Sequence, residues 1–154
     1  MTASSPIVTV NLWFGGTWPD LGADFVGLPG RTMQWVFDKR GAFGDEASHV
    51  SLVCSGAADV VDWPNDRLVP LALQELRDAL PQLRDTAVRH ATVVREPRAT
   101  FSLALGEPAR PATATAVANL FLAGDWIDTG LPATIESAVR SGHWAAAAVL
   151  ASRS

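Results

Sequence analysis

The sequence of 154 residues has one cysteine, two methionines and no tyrosine. A lone thiol cannot build a disulfide framework. Cys54, set in the apolar stretch VSLVCSG, reads as an inert core residue in a protein kept in a reducing compartment. Positive charge is also scarce: 12 Lys and Arg against 16 Asp and Glu give a formal net charge of −4, with no basic block. That excludes the footprint of a nucleic-acid binder and a polybasic membrane patch. Long hydrophobic runs are missing, since the most apolar windows, 117–124 and 145–151, are far too short to span a bilayer. MTASSPIV lacks the features of a secretory leader, so a cytoplasmic protein is expected, with at most a peripheral contact at a membrane. His49, His90 and His143 are far apart and have no CxxC, HExxH or Asp-rich loop near them, so no metal site is expected. Ser55 lies in CSGAA and not in GxSxG, which leaves a hydrolase triad without support. Finally, no two of the twelve glycines are spaced as G-x-G.

What is present falls into strands first and helices later. PIVTVNLWF (6–14) alternates, with Val8, Val10, Leu12 and Phe14 on one face. MQWVFDKR (33–40) aligns Met33, Trp35 and Phe37, and HVSLVCSG (49–56) aligns Val50, Leu52 and Cys54. Three such runs separated by Gly/Pro loops read as an antiparallel meander. The linker 14–30 carries five of the twelve glycines and two prolines, and reads as a loop or a pair of turns. WPNDRLVPLALQELRDALPQL predicts a helix that begins between Pro64 and Pro70 and is stopped by Pro81, burying Leu68, Ala72, Leu76, Ala79 and Leu83. Residues 87–101 predict a further strand, broken at Pro97. Val8, Val10, Leu12, Phe14 and Trp35 could wall a site for an apolar ligand, although a sheet packed on its own core shows the same alternation.

The last third is the most informative. Leu120 to Ala123 is an apolar run fit for a buried strand over 119–123, and it leads into Gly124 and Asp125. After Gly130 and Pro132 a helix starts between residues 132 and 134, with Thr134 a candidate cap. Ile135, Ala138, Val139, Gly142, Ala146 and Val149 form its apolar stripe, predicted to be buried. Glu136 and Arg140 lie on another face and also fit an ordinary surface pair. A strand delivered this abruptly into a helix aims the helix's free N–H groups over the strand end, where α/β proteins keep anionic or electron-rich ligands.

These residues carry a resemblance. Residues 95–148, REPRATFSLALGEPARPATATAVANLFLAGDWIDTGLPATIESAVRSGHWAAAA, resemble the C-terminal signature of the FAD-dependent amine oxidase and carotenoid/squalene desaturase superfamily. The pattern is an apolar run into LAGD, then PAT-x-E-x-A-x-x-SG-x-x-AA. PIVTVNLWF and MQWVFDKRG are most similar to its squalene-associated branch, the squalene-associated FAD-dependent desaturases or hydroxysqualene dehydroxylases. The resemblance implies that Gly124 lets the backbone approach FAD and that Asp125 accepts a hydrogen bond from the ribityl chain, with Trp126 beside them. It also implies that Ala133, Thr134 and Ile135 set the helix start against the pyrimidine edge of the isoalloxazine. No side chain is assigned as catalytic.

The implied fold is α/β, an α+β fragment: antiparallel strands of a partial substrate-binding domain over residues 1–100, then the C-terminal strand–helix of a Rossmann-like FAD domain over 101–154. The family's GxGxxG half, which binds the ADP end of FAD, is absent from these residues. The chain is therefore expected to be the C-terminal portion of a longer flavoenzyme, completed from the same gene or by a separate chain, and inactive alone. The implied substrate is an apolar isoprenoid of the hydroxysqualene or squalene type, in hopanoid or terpenoid biosynthesis. A phytoene-type desaturase, a flavin amine oxidase, and a non-catalytic module that binds an apolar ligand or a partner chain stay open as alternatives.

Overall fold

A computed structural model describes residues 3–16, 21–43, 48–102 and 104–152; of the linker 14–30, residues 17–20 lie outside the described set. The chain divides into two compact units, Ser5–Ala99 and Met1–Ser4 with Thr100–Ser154. Five strands form one sheet: β1 (Ser4–Phe14), β2 (Phe25–Gly27), β3 (Trp35–Asp38), β4 (Ser48–Ser55) and β5 (Val88–Phe101), in the order β2-β3-β4-β1-β5. The pairs β1–β4, β3–β4 and β2–β3 are antiparallel, as expected, but the three runs read from the sequence do not form a meander, since β1 pairs with β4 and not with β3 and their order is β3-β4-β1.

The period-two alternation is explained by what covers one face. Val8 pairs with Cys54, Val10 with Leu52 and Leu12 with Val50, and all six are buried. Over them lies helix α2 (Asn65–Ala79), whose Leu68, Ala72 and Leu76 join one apolar cluster with Leu83 from the short 3-10 turn Pro81–Leu83. Fully burying a side chain of this size contributes about 1.5–3 kcal/mol. Ala79, also expected inside, is only partly buried at the margin of this cluster. Pro70 does not start the helix but sits inside it, where its missing N–H removes one i→i−4 bond. A four-residue helix, α1 (Arg40–Phe43), follows β3.

The face of Val8, Val10, Leu12 and Phe14 is thus the core and does not wall a ligand site. Trp35 is on the opposite face, because Val36, paired with Leu52, takes the inward position. There Trp35 is 41% exposed and meets Phe25, 57% exposed, edge-on at 5.9 Å, with Phe37 at 6.0 Å from Phe25. Met33 is buried but precedes the strand, so it shares no strand face with Trp35.

Two further elements differ from expectation. The Gly/Pro-rich linker contains β2, held because Phe25 and Val26 find Phe37 and Val36 across the ladder. β5 runs unbroken through Pro97, as an edge strand can, since it has a neighbour on one side only and tolerates a residue with no N–H. Glu75, on the buried side of α2, accepts the Thr32 N–H at 2.9 Å and the Met33 N–H at 2.8 Å, tying the turn before β3 to the helix.

Cys54 is 5% exposed, and burial first, then the charges of Glu75 and Asp59, push its thiol pKa above the ordinary value of 9.0. The folded state thus keeps a proton that the unfolded chain gives up, so this group's contribution to stability is present below pH 9.0 and falls as pH rises past it. We expect iodoacetamide to alkylate Cys54 slowly in the native chain and rapidly in denaturant, read by mass spectrometry. Equal rates would show that the sheet opens readily.

Candidate functional site

Helix α3 (Ile135–Ala151) dominates the unit that holds Thr100–Ser154. Thr134 caps it as the sequence suggests, its hydroxyl accepting the Ser137 N–H at 3.2 Å. Glu136 and Arg140 form the plain surface pair, at 3.7 Å. The apolar stripe, however, faces outward: Ile135 is 86% and Val139 50% exposed, whereas Ser137 and Ser141 are fully buried. The physical reason is that the inward face covers a loop with polar backbone groups, which need hydroxyl partners more than methyl groups. The expected strand over 119–123 is also replaced. Its only sheet-like pairings among the described residues are the bridge Ala114–Phe121 and the Leu122 N–H bond to the Thr113 carbonyl at 2.8 Å. Asn119, at φ 62°, turns the chain just where that strand would begin, and an apolar run becomes a strand only beside a partner.

The loop after this bridge is stitched to α3. Gly124 N–H donates to Ser141 Oγ at 2.9 Å, and that hydroxyl has the Gly124 and Ala138 carbonyls as acceptors, both at 2.9 Å. One turn nearer the helix start, Ser137 Oγ donates to the Asp125 carbonyl at 3.2 Å and lies 2.7 Å from Thr129 Oγ1. Gly124 has φ 149°, and a Cβ there would stand 2.3 Å from the Trp126 indole nitrogen, so only glycine fits. Ile127 plugs the loop and is fully buried.

Arg110 holds the same loop from another side. Its Nε donates to the Trp126 carbonyl at 3.3 Å, its Nη1 to the Leu131 carbonyl, and its Nη2 to the Asp125 carbonyl at 2.6 Å, the Ile127 carbonyl and Ser137 Oγ at 3.1 Å. Its guanidinium also lies 5.4 Å from the Phe101 ring, and with Phe101, Pro108 and Trp126 it lines a cavity of about 220 Å³.

Gly124, Asp125 and Trp126 are therefore contiguous on a fixed loop bonded into the first two turns of the helix that Ala133, Thr134 and Ile135 lead into. Asp125 is half-buried, and its carboxylate takes no hydrogen bond or ion pair among the described residues. The Ile135 and Glu136 N–H groups likewise have no partner among them. Sequence reasoning missed Arg110, Ser137 and Thr129 as parts of this site. The signal for the serines was their i, i+4 spacing, with Ser141 inside the SG of the signature. Arg110, between Ala109 and Pro111, gave none. Among the described residues no group of three metal-ligating side chains occurs and no helix is long and apolar enough to cross a membrane. His49 stacks on Trp13 at 4.2 Å.

The family profile described as flavin containing amine oxidoreductase matches residues 3–150. The chain belongs to the flavin containing amine oxidoreductase family. This match takes in both compact units, the Gly124–Leu131 loop and nearly all of α3, and agrees with the resemblance carried by the LAGD-to-SG signature. Among relatives, a hydroxysqualene dehydroxylase of Rhodopseudomonas palustris is 37% identical over 145 residues, which cover 92% of this chain and 32% of the relative. A hydroxysqualene dehydroxylase of Zymomonas mobilis is 36% identical over 122 residues, 79% of this chain and 27% of its own length. A carotenoid phi-ring synthase of Chlorobaculum tepidum is 35% identical over 92 residues, 59% of this chain and 14% of its own length. The chain thus spans less than a third of the length of these relatives.

Proposed function

We propose that this chain is the C-terminal part of an FAD-dependent oxidoreductase acting on an apolar isoprenoid of the hydroxysqualene or squalene type, in hopanoid or terpenoid biosynthesis. The observation that carries the proposal is the Gly124–Ile127 loop, bonded to the start of α3 with its Asp125 carboxylate and two helix N–H groups unclaimed among the described residues. Those are the donors and acceptor that a polar cofactor chain and an electron-rich ring edge require. When bound, FAD supplies the redox chemistry. The chain's own part is to hold it.

In this reading Gly124 leaves room for close approach, the Asp125 carboxylate accepts from a ribityl hydroxyl, and Trp126 gives an apolar wall. Ala133, Thr134 and Ile135 present the helix end, which favours negative charge beside it by about 0.3–1 kcal/mol, or up to about 2 when partly buried. The unit Ser5–Ala99 serves as part of the substrate domain, and the outward Phe25, Trp35 and Phe37 suit a hydrocarbon better than an ion. The exposed stripe Ile135, Val139 and Val149 on α3 is the seat for the half of the FAD domain that carries GxGxxG. We assign the protein to the cytoplasm, with a peripheral membrane contact from which an isoprenoid could be taken. The similarity to a carotenoid phi-ring synthase favours, as a second reading, a carotenoid-type substrate on the same site.

The test is a titration of the flavin-loaded protein that contains this chain. A solubilised isoprenoid alcohol is expected to shift the oxidised flavin spectrum, and primary amines are expected to leave it unchanged. A shift with amines alone would replace the isoprenoid reading by an amine oxidase.

A further inference from the structure

We propose that Arg110 is a positioning residue for the flavin, fixing the Asp125 loop with its planar fork and adding its positive charge to the start of α3. This inference rests on the flavin reading above. All three guanidinium nitrogens are engaged, and four of the five acceptors are main-chain carbonyls within Asp125–Leu131. One side chain therefore ties four carbonyls of the loop together, beside the bonds from Ser137 and Ser141. Only arginine can do this: its five donors lie in a fixed plane, whereas the lysine ammonium offers three donors at one point.

The charge is a second, separate property. Among the described residues no carboxylate comes within ion-pair distance of Arg110. Carbonyl oxygens solvate the cation without cancelling it. Because Nη2 lies 3.1 Å from Ser137 Oγ, in the first turn of α3, that charge stands at the same end as the unclaimed N–H groups. Both therefore favour added negative charge at that end, and a reduced flavin carries more than an oxidised one.

The two properties separate by substitution in the flavin-loaded protein, read by FAD dissociation constant and, at saturating FAD, by the flavin midpoint potential. Arg110→Lys keeps the charge and loses the fork: the dissociation constant should rise about tenfold or more while the potential stays at the parent value. Arg110→Gln loses both, so affinity should fall and the potential should move down. Ser137→Ala removes one acceptor and leaves the guanidinium, and should weaken FAD less than either, with the potential unchanged. Far-UV circular dichroism establishes that each variant is folded, and the serine variant keeps the test open should the glutamine variant fail to fold.

A parent that binds FAD while the lysine variant binds it equally well overturns the clamp. A glutamine variant with the parent's potential overturns the electrostatic role and leaves a purely structural arginine. A parent that takes up no FAD removes the flavin reading itself, and this inference with it.

Discussion

Glu75→Ala is expected to destabilise the Ser5–Ala99 unit by about 1–3 kcal/mol, because it leaves the buried Met33 N–H without an acceptor, while the part-buried Thr32 N–H adds less. Glu75 is 9% exposed, and its carboxylate takes one N–H on each oxygen, from Thr32 and Met33. Water cannot readily replace it at the buried Met33 N–H. Met33 is fully buried beside α2, so release of this turn also loosens a core side chain. Glu75→Gln should cost less, since the amide keeps one oxygen for one of the two donors and sets its own N–H₂ against the other. The measurement is urea unfolding followed by far-UV circular dichroism, comparing midpoints at equal slope. An alanine variant within about 0.5 kcal/mol of the parent, the range of ordinary surface substitutions, would mean that the turn finds other partners.

Glu75 also shows why some of this fold was readable from sequence and some was not. β1, β4 and α2 were legible because burial of one face writes a period of two or 3.6 into the chain, as Val8, Val10 and Leu12 opposite Leu68, Ala72 and Leu76 demonstrate. A glutamate within such a helix looks like solvent-facing charge, and its role depends on a turn 42 and 43 residues away. β2 was hidden by its brevity, since its three residues are stable only against β3. The apolar run 119–123 misled for the converse reason: its composition suits a strand, but strand formation is a property of the pair.

The site divides in the same way. The turn glycine at 124, the cap at Thr134 and the surface pair Glu136–Arg140 are set by bonds within a few residues, and each has a local signature. Arg110 acts on main-chain carbonyls 15 to 21 residues ahead, and main-chain acceptors leave no trace in sequence. The face of α3 was misread because small polar side chains did the packing. Ser137 and Ser141 are buried for the sake of the loop's backbone, and hydrophobic periodicity cannot report that.

Asp125→Ala in the flavin-loaded protein is expected to weaken FAD by roughly 1.5–3 kcal/mol, the range for a hydrogen bond to a charged group, so that flavin is lost on dilution. The loop itself should survive this change, because Asp125 is held through its carbonyl, by Arg110 at 2.6 Å and Ser137 at 3.2 Å, and its carboxylate bonds to none of the described residues. That separation makes the prediction specific. Gly124→Ala should weaken FAD as well but by a different route, since the new Cβ would press on the Trp126 indole and disturb the loop. Near-ultraviolet circular dichroism of the tryptophans distinguishes the two: unchanged for Asp125→Ala, altered for Gly124→Ala. Asp125→Asn keeps one acceptor oxygen without the charge and should fall between parent and alanine. If the alanine and asparagine variants retain FAD as the parent does, the carboxylate is a turn residue, and the cofactor contact must come from Trp126 or the helix start instead.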